Sequence, residues 1–195
     1  MNKKVAWTLI AFLLLLMFTP FVCSAKDPMK VARRNYIPIV KMCPDDPTPT
    51  FGSAVTISKN RALTATHLVK CMFMTKNELG SVIWSEGDTA IVEFPDGDFS
   101  PLLEFGEARV GDRLFSISNG FVSDGIYLEF YAALIGDEGI TVSPCPPMGS
   151  SGAGVYTKHG KLVGIISNVM TDQFCAGVGL VLPIPDEVKR TVHPK

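Results

Sequence analysis

The chain is short of histidine and of unbalanced charge, and each shortage excludes something. Against 18 lysines and arginines stand 19 acidic residues, a formal net charge of −1. No basic excess exists to neutralise a phosphate backbone, so a basic nucleic-acid binder is excluded. The five cysteines are scattered and form no Cys-x-x-Cys, which makes a zinc site improbable. Beyond residue 25 no apolar run is long enough to cross a bilayer, which rules out a polytopic membrane protein. Internal repeats and low-complexity tracts are lacking too. Yet 47% of the residues are hydrophobic, too many for a disordered chain. A length of 195 residues sets an expectation of one to two domains and leaves room for a sizeable core.

What is present begins with an unusual start. Asn2-Lys3-Lys4 precedes a segment from Val5 to Ala25 that carries no charge, ending Val22-Cys23-Ser24-Ala25. Residues 1–25 therefore read as an export signal cleaved after Ala25, with Pro20 ending the apolar helix ahead of the cleavage strip. The alternative is an uncleaved anchor that tethers the protein to a membrane through residues 5–25. A lipid-modified Cys23 fits less well, because Val22 is bulky where a small residue is wanted. Each version puts the rest outside the cytosol: secreted, periplasmic, or membrane-anchored with the folded part outward. That remainder is slightly acidic, since the leader takes away Lys3 and Lys4 and no acid. Cys43, Cys71, Cys145 and Cys175 are left, an even set that suggests two disulfides with three pairings open.

Residues 26–50 read as a basic lead-in with Arg33-Arg34, followed by the turn-rich Asp45-Asp46-Pro47-Thr48-Pro49. Then come short β-branched and aromatic runs: Gly52–Ser58, Ala62–Thr66, Cys71–Thr75, Val82–Trp84, Thr89–Phe94, Arg113–Ser118, Ile126–Leu134, Gly154–Thr157, Lys161–Ser167 and Val178–Leu182. About ten short strands punctuated by turn residues indicate an all-β barrel or sandwich. Only Pro185–Arg190 looks helical, with proline at the start and Lys189-Arg190 at the end.

Of the three histidines, His193 sits in the tail and His159 at an exposed-looking hairpin tip, Thr157–Lys161. His67 differs, because it ends the small-residue strand Ala62-Leu63-Thr64-Ala65-Thr66. Asp88 heads the apolar strand Thr89–Phe94; such an acid is commonly a turn residue, but beside a histidine it would fix the tautomer. Gly149-Ser150-Ser151-Gly152-Ala153-Gly154 is a short loop enclosed by apolar strands rather than a flexible linker. Its glycines allow a sharp turn that exposes a hydroxyl and points adjacent N–H groups at one spot, as an acyl-transfer nucleophile needs.

Taken in order, Thr64-Ala65-Thr66-His67, Asp88-Thr89-Ala90-Ile91-Val92 and Gly149-Ser150-Ser151-Gly152 with Leu162-Val163-Gly164-Ile165 resemble the three blocks of trypsin-like, chymotrypsin-fold serine proteases. Gly177–Pro183 is similar to the last strand of compact bacterial members such as the HtrA proteases, although no PDZ-like extension follows. The resemblance implies two six-stranded antiparallel β-barrels with a short C-terminal helix. The protease domain would cover residues 51–195, with barrels at about 51–105 and 106–185. It implies a serine endopeptidase acting on protein or peptide substrates, with no metal or organic cofactor. By the same resemblance Ser151 is the nucleophile, ahead of Ser150; His67 is the base; Asp88 orients it, ahead of Asp96 and Asp98. The N–H groups of Gly149 and Ser151 form the oxyanion hole, and Ser167, Val169 and Met148 line the substrate cleft. Cys145–Cys175 would brace the serine loop and Cys43–Cys71 the histidine loop, each contributing about 3–4 kcal/mol.

Departures from the pattern also carry expectations. Ser150 stands where digestive members carry an aspartate that receives a freed amino terminus, and Arg34 is followed by Asn35-Tyr36-Ile37-Pro38, so no activation by terminal insertion is expected. Ala153 replaces a glycine, and the short span from His67 to Asp88 implies trimmed loops in the first barrel. No acid lies in Thr141–Pro147, which disfavours Lys or Arg at P1. No histidine lies near Ile166 or Ser167, which disfavours Glu. Val169 should narrow the slot toward small or medium apolar residues. Two other readings stand beside the protease: a catalytically silent binding module of the same fold, such as a decoy or surface protein, and a tethered structural protein.

Overall fold

The computed structural model describes residues 27–76, 78–118, 121–128, 140–143, 147, 149–170 and 178–192. The leader, Met148, Cys145 and Cys175 lie outside them, and so does the expected Cys145–Cys175 bridge. Helix α1 (Pro28–Asn35) leads into β1 (Tyr36–Cys43), β2 (Asp46–Thr56), β3 (Arg61–Ala65), β4 (Met72–Thr75), β5 (Glu78–Leu79), β6 (Ser81–Glu86) and β7 (Thr89–Glu93). These strands form one sheet in the order β5-β4-β1-β2-β3-β7-β6. Then β8 (Arg113–Ser118), β9 (Phe121–Leu128), β10 (Ile140–Ser143), β11 (Gly154–Thr157), β12 (Leu162–Met170) and β13 (Val178–Pro183) close a barrel ordered β10-β13-β12-β11-β8-β9. Helix α2 (Asp186–Val192) follows, where the sequence places its one helix. The all-β, two-sheet architecture is as expected, but the first sheet has seven strands rather than six, because the two-residue β5 adds an edge to β4.

The first sheet also begins earlier than residue 51. The segment expected as a lead-in and loop supplies α1, β1 and half of β2, with the turn at Pro44-Asp45. The short α1 starts on sound local chemistry: Asp27 Oδ1 accepts the Met29 N–H at 3.0 Å, Pro28 sits in the first turn and Arg33-Arg34 in the last. Pro38 is tolerated in β1 because β4 pairs only with Val40–Met42, which leaves Pro38 with β2 alone.

Strand alternation divides the core. Ala54, Ala62, Ala90 and Val92 point into the first sheet's interior with Phe73 and Phe94, whose rings meet edge to face at 6.2 Å. Their neighbours Val55, Leu63 and Ile91 point the other way and pack on Ile117, Tyr156, Leu162 and Ile165 of the second barrel. Leu114, Val155, Val163, Ile166 and Val181 fill that barrel. Strands β3 and β7 are thus buried on both faces, and each fully buried Leu, Ile or Val contributes about 1.5–3 kcal/mol.

Asn35, fully buried at the end of α1, joins the parts. Its Nδ2 donates to Leu102 O at 3.0 Å, its Oδ1 accepts from Leu102 N–H at 2.9 Å, and its carbonyl accepts from Thr56 Oγ1 at 3.3 Å. Its side chain also bonds the Tyr156 hydroxyl, whose pKa burial pushes far up despite that bond. One amide therefore ties α1, the inter-sheet linker and the second barrel together.

Candidate active site

Register brings the first two site residues together. Ala65 of β3 faces Thr89 of β7, so the chains leaving these strands carry Thr66-His67 and Asp88 side by side. Thr66 N–H donates to the Asp88 carbonyl at 3.1 Å and His67 N–H donates to Asp88 Oδ1 at 3.0 Å. The ring Nδ1 of His67 lies 2.9 Å from Asp88 Oδ2 and 3.1 Å from Oδ1. A carboxylate here assigns the proton of the neutral ring to Nδ1, which leaves Nε2 as the acceptor nitrogen. The 3₁₀ turn Thr66–Leu68 carrying the ring is pinned from below, since Lys41 Nζ donates to the His67 carbonyl at 3.1 Å. The expected Cys43–Cys71 disulfide forms as well, fixing the chain just beyond the histidine to the end of β1 with Cα atoms 5.2 Å apart.

Ser167 completes this cluster from the other barrel. The β12–β13 ladder slips at Ser167, between the pairs Ile166–Val181 and Asn168–Leu180. From this bulge its Oγ donates to Asp88 Oδ2 at 2.5 Å. Partial burial works to raise the Asp88 pKa, but hydrogen bonds from the His67 ring, Ser167 and the His67 N–H outweigh it and hold the carboxyl below its ordinary value.

The glycine-serine loop is strapped to β2. Ser53 N–H donates to the Ser151 carbonyl at 2.8 Å and Ser53 Oγ to the Gly149 carbonyl at 2.9 Å. Gly152 N–H reaches Ile166 O at 2.6 Å. Only glycine fits at 152: φ is +81°, and an added Cβ would lie 1.9 Å from Ser53 O. The two serines differ sharply. Ser150 is fully buried, with its Oγ 2.6 Å from Ser118 Oγ and donating to Pro147 O at 2.5 Å. Ser151 is half-buried, and among the described residues its hydroxyl has no hydrogen-bond partner, His67 included. The N–H groups of Gly149 and Ser151 likewise have no acceptor among the described residues.

The remaining candidates fall elsewhere. Asp98 forms an exposed ion pair with Lys59 at 3.8 Å, and Asp96 N–H bonds Glu78, so neither approaches His67. His159 lies in an exposed turn, where its N–H donates to Thr157 Oγ1, while His193 lies outside the described residues. Val169 lies on β12 and its side chain is not described; Met148 is outside altogether. Among the described residues no group of His, Cys, Asp or Glu is arranged to hold a metal. Sequence reasoning missed Ser53, Lys41, Ser118 and Asn35, none of which carries a local motif.

No family model and no curated protein matches this sequence. Solved structures do match. The HtrA-type protease AlgW, solved with a tripeptide, superposes over 86% of this chain with a TM-score of 0.70 at 18% identity. This is the chymotrypsin-like protease fold. The serine endoprotease from Yersinia pestis gives a TM-score of 0.68 at 19% identity, again over 86% of the chain. The Rv3671c protease from M. tuberculosis, in its active form, gives 0.62 at 19% over 84% of this chain and 82% of its own. The chain spans 63% and 65% of the first two, under two thirds of their length. Here Asp88 and His67 sit on connections of the first sheet, Ser151 on the loop before β11 and Ser167 on β12 of the second, and the Ser53 strap crosses between the two.

Proposed function

We propose that the protein is an exported serine endopeptidase that cleaves peptide bonds through an acyl-enzyme. The observation that carries this reading is the grip of Asp88 on His67, a carboxylate bonded to ring and backbone of one histidine and buttressed by Ser167. Such a grip leaves Nε2 free to accept a proton. In the proposed reaction Ser151 Oγ attacks the scissile carbonyl while its proton passes to His67 Nε2. Collapse of the tetrahedral adduct expels the amine, which takes that proton, and water then releases the acyl group by the same route. The Gly149 and Ser151 N–H groups would stabilise the oxyanion, each such donor being worth about 10²–10³ in rate. The Ser151–His67 hydrogen bond would close as substrate binds, since catalytic contacts tighten in the Michaelis complex.

A fluorophosphonate probe tests the assignment. The exported chain should label, Ser151→Ala should abolish labelling, and Ser150→Ala should still label, more slowly. Labelling that survives Ser151→Ala and vanishes in Ser150→Ala would refute the nucleophile. An unlabelled but folded chain would favour the silent binding module. For specificity, small or medium apolar P1 residues are expected from a peptide library, and a profile dominated by Arg, Lys or Glu would overturn that part.

A further inference from the structure

We propose that Ser118, on β8, is a positioning residue for the nucleophile loop, through a hydroxyl relay with Ser150; this rests on the acyl-transfer reading above. The direction of the relay follows from counting protons. Pro147 O is a carbonyl and can only accept, so the single Ser150 proton goes to it at 2.5 Å. The Oγ–Oγ contact at 2.6 Å is then made with the Ser118 proton. Pro147 O receives a second bond from Ser150 N–H at 3.2 Å, and Ser150 O accepts from Ala153 N–H at 2.8 Å. Ser150 thereby closes the turn on both sides of Ser151, with Gly149 at φ +84° inside it. Ser118 and Ser150 are 1% and 0% exposed, so water cannot replace either partner.

The relay fixes the peptide planes whose N–H groups flank the reacting carbonyl. It does so with two neutral hydroxyls inside one barrel. Among the described residues, every group in the relay belongs to β8 or to the loop itself, and none to α1.

Four variants decide the matter: Ser118→Ala, Ser118→Thr, Ser150→Ala and the double alanine. Probe labelling, kcat and KM on a peptide substrate, and amide exchange at Ser150 and Ala153 are read on each folded protein. Ser118→Ala should lower kcat and the labelling rate by about tenfold to a hundredfold, the scale of a small misplacement of reacting groups. KM should hold while exchange at the two amides rises. Ser118→Thr, which keeps the hydroxyl, should recover most of the rate, and the double variant should be no worse than Ser150→Ala. Wild-type kcat and exchange in Ser118→Ala would overturn the proposal, as would additive losses in the double variant. If the folded wild-type chain takes no probe, the acyl-transfer reading falls by itself, and the exchange measurements still decide whether Ser118 holds the loop.

Discussion

Replacing Asn35 with leucine is the sharpest test of how the two sheets are joined. The side chains are similar in volume and the site is fully buried, so shape is nearly kept and only the hydrogen bonds are lost. Leu102 loses partners for its N–H and its carbonyl, and the Tyr156 hydroxyl loses its amide. A buried polar group left unpaired costs about 1–3 kcal/mol. Leu102 is 39% exposed and its bonds to Asn35 are only partly buried, so the low end is taken there. Tyr156 is 1% exposed and takes a middle value of about 2 kcal/mol. Offsetting these by roughly 1 kcal/mol for the added apolar burial leaves a net loss of about 2–3 kcal/mol. For a chain this size that lowers Tm by about 4–12 °C. Urea unfolding with disulfides intact should show the same loss as a lower midpoint at unchanged slope. Tyr156→Phe combined with Asn35→Leu should cost less than the two changes summed, because each removes the same bond. Asn35→Asp adds a pH signature: the buried carboxyl, its pKa raised by desolvation, destabilises most when ionised, so the loss should ease as pH falls. A loss under about 1 kcal/mol, or a pH-independent Asn35→Asp, would refute the shared-amide account.

Further outcomes follow from the same geometry. Because Asp88 is lowered in the native state, its contribution is complete above the ordinary carboxylate range and disappears as pH falls through its native value. Ser167→Ala should move that acid loss to higher pH in acid unfolding followed by circular dichroism, and an unchanged profile would contradict the role given to Ser167. Changing Cys43 and Cys71 together to serine should cost about 3–4 kcal/mol in chemical denaturation. Trimming the chain after Arg34 removes the buried Val31 and Ala32. It is expected to lower Tm without raising activity, and a sharp rise in activity would overturn the loop account.

The legible parts of this molecule are those where one local pattern fixes the outcome. Arg113–Ser118 and Gly154–Thr157 appear as strands with the bounds their alternation suggests. His67 and Asp88 meet because two apolar strands of matched length end in register. Position in the loop is the ground for proposing Ser151 over Ser150, and the two differ in the structure too, since the Ser150 hydroxyl is spent inside the fold. Other features had no local voice. Helix α1 offers only Met29, Val31 and Ala32 as an apolar stripe, too short to register as periodicity. Pro38 hid β1, since a proline argues against a strand until the missing neighbour on one side is known. Ser53 meets Gly149 across 96 positions and Asn35 meets Leu102 across 67, distances over which a single sequence carries no pairing signal.

The strap from Ser53 to the glycine-serine loop has a consequence for which substitutions the fold tolerates. Its main bond is backbone to backbone, from Ser53 N–H to Ser151 O, and the fit beneath it depends on glycine at 152. At the candidate site the offset between the two halves is therefore held in part by main-chain geometry, beside the side-chain packing of Val55, Leu63 and Ile91. Substitutions in either barrel leave the main-chain part of that offset unchanged so long as the strands keep their register. The chain shares only 18–19% identity with the structures it superposes on at TM-scores of 0.62–0.70, so the common fold does not require common side chains.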